Sequence, residues 1–133
     1  MPMTLESSKS RSEFKQRIYF FTLKLIEFID LLPKDDVSKK INDELFKNGT
    51  SVISKFIESS AALTKKDLTN STIEAIKFAN ETKLWMALVR DSKRAKSDKV
   101  KWFLEELDEI SKALAESITN RKKIWYNLPR CVM

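Results

Sequence analysis

The chain of 133 residues contains no histidine, one cysteine, one glycine and three prolines. Without histidine it lacks the commonest general base near neutral pH and the commonest metal ligand. Its only cysteine, Cys131, allows neither an intrachain disulfide nor a thiolate cluster, and "CVM" places it one residue short of a prenylation signal. One glycine permits neither G-x-G-x-x-G nor G-x-x-x-x-G-K, so no phosphate-cradling loop is encoded. So few glycines and prolines leave little from which to build β-turns, which favours long helices with few connections. The richest apolar run, "IYFFTLKLIEFIDLL", is interrupted by Lys24, Glu27 and Asp30 and falls short of the roughly 20 apolar residues that span a bilayer. With no signal-peptide pattern at "MPMTLESSKSRSEF", the expected setting is cytoplasmic, with no membrane partner and no cofactor.

Hydrophobic residues at 42% and charged residues at 33% suit a folded domain better than a disordered chain. At this length one domain, residues 1–133, buries roughly two-thirds of its unfolded surface.

The pattern predicts four helices. Ser10 and Glu13 form a capping box that opens the first near Arg11, and Pro33 closes it. Asp35 and Asp36 sit where a helix N-terminus favours negative charge, and helix 2 runs from 36 to 62. Thr64 and Asp67 cap helix 3, over 65–92. Ser97 and Asp98 open helix 4, over 98–121, followed by a basic and aromatic tail, 122–133, in which Pro129 forbids continuation. Core stripes recur every three or four residues: Phe14, Ile18, Phe21, Leu25, Ile29 and Leu32; then Ile41, Leu45, Val52 and Phe56; then Leu68, Ala75, Ala79 and Met86; then Phe103, Leu107, Ile110, Leu114 and Ser117. Short connections between long helices predict an all-α fold, an antiparallel up-down-up-down four-helix bundle.

Helices 1 to 3 carry more apolar surface than one core-facing stripe needs. Tyr19, Leu23 and Ile26 form a second stripe on helix 1, with Phe20 and Leu31 towards the polar side. Helix 2 adds Phe46, Ile53 and Ile57, and helix 3 adds Phe78, Trp85 and Val89 away from its main stripe. A wide core or a folded-back "IWYNL" tail would cover them; the preferred reading is a homo-oligomer interface of Phe20, Leu31, Phe46, Gly49, Ile53, Ile57, Phe78 and Trp85. Gly49 belongs there because it falls between the two stripes of helix 2, where a missing side chain lets another helix approach, in this chain or a second copy.

The net charge of +6 is uneven. Residues 90–101 carry six basic and two acidic side chains, a net of +4, and residues 121–133 carry another +4, so the remainder sums to −2. Arg94, Lys96, Lys99 and Lys101 lie at one end of an up-down bundle. Arg121, Lys122 and Lys123 lie at the other, near Lys9, Arg11, Lys15, Lys65 and Lys66. Charge runs are commonly solvated faces; a ring of copies would repeat each cluster and strengthen its field. Trp125 and Tyr126 could stack on bases or anchor the tail. Glu58 and Glu81 are the carboxylates considered for catalysis, but paired-metal bundles use Glu-x-x-His. The expectation is no enzyme.

Three stretches resemble a known family: "RIYFFTLKLIEFIDLLPKDD", "LFKNGTSVISKFIESSAALTKKD" and "ANETKLWMALVRDS". They are similar to the bacterial four-helix-bundle proteins encoded by intervening sequences inside 23S ribosomal RNA genes, of which the accessory protein of diversity-generating retroelements is a distant relative. The resemblance runs from about Arg17 to Ser92, and helix 4 matches only in pattern. Ile53 and Lys55 stand where members often have a second glycine and an asparagine, and Ile57 replaces one of an acidic pair of which Glu58 remains. The resemblance implies a homo-oligomer, typically a pentameric ring or barrel, and no established enzymatic activity. Through the retroelement relatives it implies binding to reverse transcriptase and to nucleic acid, RNA or DNA. The competing function is a protein–protein interaction module that binds no nucleic acid.

Overall fold

A computed structural model describes Leu5 and residues 7–127, with side chains up to Thr119. Four α-helices follow one another: α1 Ser8–Asp30, α2 Asp36–Ser60, α3 Lys65–Asp91 and α4 Ser97–Asn127. Sequence neighbours pack in order and α1 meets α4 to close an antiparallel four-helix bundle. The cross-helix contacts fix the directions. Arg11 reaches Ser59 while Leu25 meets Gly49; Arg17 reaches Glu106 while Phe28 meets Phe103.

The helix ends show why the chain breaks where it does. Ser7, not Ser10, caps α1. Its hydroxyl accepts from the Ser10 N–H at 3.0 Å and the Ser10 hydroxyl accepts from the Ser7 N–H at 3.1 Å, closing a capping box between serines. The expected start near Arg11 was late because "SSKSRS" offers several serines of equal capping strength. Thr64 accepts from the Asp67 N–H at 3.1 Å and caps α3. α4 continues past the expected stop at 121 to Asn127, since no breaker precedes Pro129.

With a single glycine inside a helix, the left-handed residue that ends α3 is a lysine: Lys93 has φ 61°. The Arg94 N–H reaches the Val89 carbonyl and the Lys93 N–H reaches that of Arg90, each at 3.0 Å, completing a Schellman motif. Such a position favours glycine. Lys93→Gly is expected to stabilise the fold by roughly 0.5–1 kcal/mol, after allowing for the added freedom of the unfolded chain. Urea denaturation checks this, and a lower midpoint for the variant would count against the cap.

The core contains every residue of the expected α2 and α4 stripes, on α1 all but Ile29, and on α3 all but Leu68; Ile29 and Leu68 are half-buried. Two further positions were not expected in the core. Phe28, unassigned from sequence, is buried against Phe103 with ring centroids 4.9 Å apart. Val89, expected off the main stripe, is fully buried, because α3 lies between α2 and α4 and is covered on both flanks. α2 and α3 pack most closely, and small buried side chains allow it: Ala75, Ala79, Thr72 and Thr82 on α3, Ser59 on α2. α1 and α4 stand farther apart, and the space between them is filled by Phe21, Phe28, Trp102 and Phe103. The Arg17 guanidinium grips Glu106 there through two bonds, at 2.7 and 3.0 Å.

Candidate functional site

The basic cluster at the α3–α4 connection divides into a structural half and an exposed half. Arg94 points back into the fold. Its Nε–H donates to Ser38 Oγ at 2.8 Å, and its other end lies 3.7 Å from Asp35. Ser38 in turn donates from its N–H and its hydroxyl to the Asp35 carboxylate, at 3.1 and 2.8 Å. Arg94 therefore ties the connection to the N-terminus of α2, which corrects its assignment as a free contact for a partner. The charge pattern could not reveal this, because the anchoring residues lie far upstream. Arg90 pairs with Asp91 at 2.9 Å and Lys101 lies 3.8 Å from Glu105. Lys93, Lys96 and Lys99 are exposed and form no ion pair among the described residues.

Hydrogen bonds from Ser38, and more weakly the Arg94 charge, hold the Asp35 carboxyl below its ordinary value. A lowered folded-state pKa adds stability above the unfolded value of about 3.9 and loses it as pH falls through the folded one. The stability gap between wild type and Asp35→Ala should therefore be full at neutral pH and shrink in strong acid. Thermal melts at pH 7 and at about pH 2 test this, and an undiminished gap in acid would contradict it.

Beside the lysines, the α1–α4 seam opens into a groove of about 350 Å³ lined by Phe20, Phe28, Leu31, Trp102 and Phe103, with Lys24, Glu27 and Lys99 at its edge. Trp102 lies nearly parallel to Phe21, at 21° and 6.2 Å, and edge-on to Phe20 at 6.3 Å. The Lys24 ammonium sits 5.5 Å from the centre of the Phe20 ring and 3.3 Å from Glu27. A second hollow, about 200 Å³, shares Phe28, Leu31 and Lys99 with the first and runs on to Arg94 and Lys96. Neither Trp102 nor Lys24 was singled out from the sequence; Lys99 and Trp102, one turn apart before Phe103, were the available signal.

The expected assembly residues differ in exposure. Phe20 and Leu31, 52% and 77% exposed, belong to the α1–α4 groove. Phe46 and Ile57 are exposed on α2, while Tyr19, Leu23 and Ile26 are exposed on α1. Ile53, Phe78 and Trp85 are half-buried against the core, and the Trp85 indole N–H is buried without a partner among the described residues. Gly49 is the clear correction. It is buried, and a Cβ there would collide with Leu25 Cδ2 and meet Thr82 at 3.8 Å, so the close approach it allows is between α1 and α2 of one chain.

At the opposite end, Arg11 donates to Ser59 and Ser60 at 2.8 and 2.9 Å and lies over the Phe56 ring. The side chains of Arg121, Lys122, Lys123, Trp125 and Tyr126 lie outside the described residues. Glu58 and Glu81 are exposed rather than inward, and Glu58 pairs with Lys55 at 3.0 Å. Among the described residues no cluster of acidic or sulfur ligands could hold a metal, and no helix is long and apolar enough to cross a membrane.

No protein-family model matches the sequence, and no curated protein does. A solved structure does match. It is a crystal structure of a protein of unknown function from the S23 ribosomal protein family of Bacteroides thetaiotaomicron, with a TM-score of 0.77 and 21% identity over 82% of this chain and 97% of that one. At that identity the likeness shows a shared four-helix fold, and it spans almost all of the other protein.

Proposed function

We propose that this chain is a non-catalytic, self-assembling helical scaffold that binds nucleic acid, or an enzyme acting on nucleic acid such as a reverse transcriptase, through the basic end at the α3–α4 connection. The observation that carries this reading is the set of three exposed lysines, Lys93, Lys96 and Lys99, with no carboxylate partner among the described residues. Assembly uses the exposed apolar residues of α1 and α2, Tyr19, Leu23, Ile26, Phe46 and Ile57. The fold likeness to an S23-family protein supports descent from the intervening-sequence family that the sequence resembles; a pentameric ring is what that resemblance implies.

With no groove-reading motif in view, contacts fall on phosphate and sequence preference is slight. Affinity then falls steeply with salt, each neutralised phosphate adding about 0.9 to the slope on duplex and about 0.7 on single strands. Fluorescence anisotropy with labelled strands across a salt series tests this. Lys96→Glu with Lys99→Glu should abolish binding and leave the fold intact, since both side chains are exposed; Arg94 is left in place. The exposed apolar residues favour a second reading, a protein–protein module, and it takes over if wild type binds no nucleic acid at low salt. Light scattering that reports a monomer at micromolar concentration would remove the assembly.

A further inference from the structure

We infer that the α1–α4 groove is a stacking site for the bases of single-stranded nucleic acid; this rests on the nucleic-acid reading above and gives it a substrate form. Charge and ring chemistry both point there. The groove walls are aromatic and aliphatic, with Phe20 and Trp102 both partly exposed at its mouth. One face of the Trp102 indole is backed by Phe21, which fixes its plane. Two lysines, Lys24 and Lys99, line the hollow that holds these rings, and Lys96 lines the second hollow beside it. The one acid at the edge, Glu27, is already paired with Lys24. The two hollows share Phe28, Leu31 and Lys99, so a trough leads from the exposed rings to the basic connection.

That combination suits an extended strand. Bases of any identity stack on aromatic faces while the backbone follows a line of cations, which gives affinity with little sequence preference. A duplex keeps its bases stacked on each other and can use only the lysines. An uncharged apolar partner would gain from the rings but would leave Lys96 and Lys99, which form no ion pair among the described residues, without a counter-charge. The volume of about 350 Å³ lies at the small end of the range for ligand clefts, about 300–1,000 Å³, enough for a local stacking pocket but not for an enclosed site.

The test compares wild type with Phe20→Leu and Trp102→Leu, which keep apolar bulk and remove the ring face. The probes are a fluorescein-labelled single-stranded oligothymidine and a labelled duplex of equal length. Wild type should bind the single strand more tightly at matched salt. Each leucine variant should lose between about fivefold and about a hundredfold in single-strand affinity, with duplex affinity and the salt slope unchanged. Lys99→Glu should weaken both probes. Phe20 is more than half exposed, so its variant remains informative if Trp102→Leu fails to fold. If wild type binds both probes and the leucine variants bind the single strand as well as wild type does, the stacking site is overturned while the basic-end reading stands. If wild type binds neither probe, both fall. If Phe20→Leu instead lowers the assembled mass in light scattering, a second copy covers the groove and the stacking site is overturned.

Discussion

Phe103→Ala is expected to cost about 3–5 kcal/mol, the largest loss from any single truncation of this seam. The ring touches Phe28 at 4.9 Å, Trp102 at 4.9 Å and Phe21 at 5.8 Å, so its removal leaves three aromatic neighbours facing a void. α1 and α4 stand apart here, and a site that relaxes only partly adds a cavity term to the lost burial. With total stabilities of about 5–15 kcal/mol for domains, the variant loses about a fifth or more of what holds the fold. Phe103→Leu fills most of the volume and should recover more than half of the loss. Denaturant titration of the three proteins measures both steps; an alanine variant within about 1 kcal/mol of wild type would mean that the seam closes up after all.

The second large effect is at Gly49. Helix propensity alone says that alanine there should stabilise by about 0.5–1 kcal/mol. Packing says the opposite, because Leu25 Cδ2 occupies the space and Leu25 is fully buried. Gly49→Ala should therefore be destabilising, and Gly49→Leu should cost about 1–3 kcal/mol or more. The discriminating experiment is a double-mutant cycle. Leu25→Ala alone should cost about 2–5 kcal/mol, but in the Gly49→Leu background the new side chain fills part of the vacated space. The pair should then be less destabilising than the sum, by about 0.5–3 kcal/mol. Simple additivity would show that the two residues do not compete for one space.

Gly49 also shows how far the sequence could be read. Its place between two apolar stripes was legible from helical angles, and so was the need for a close neighbour. Which helix came close was not, because the angle of a residue on its own helix says nothing about whether α1 of the same chain or a second copy stands opposite. The same limit explains Val89, whose burial depends on α3 having a neighbour on each flank. Phe28 and Ile29 are adjacent on α1 and both apolar, and only the position of α4 decides that Phe28 is the more buried. The helices and their order were readable because the caps at Asp35 and Thr64, the proline stop at Pro33 and the three-to-four periodicity act within a few residues. The basic end was readable as charge and only half readable as chemistry. Arg94 is neutralised by residues on another helix, and the rings that stand beside Lys99 come from α1 as well as α4.

The loose α1–α4 seam has a consequence for how the chain reaches this structure. Every other packed pair of helices is joined by a short connection, so those contacts form at small cost in loop-closure entropy. Only the α1–α4 contact spans nearly the whole chain, and it is carried by side chains rather than by close backbones. The α2–α3 hairpin, with its small interlocking residues, is the natural nucleus, and the docking of α1 onto α4 is the closing step. In reverse, α1 is the first helix to leave, and its amides should exchange with solvent through openings smaller than global unfolding, while those facing Ala75 and Ala79 wait for the whole bundle to come apart.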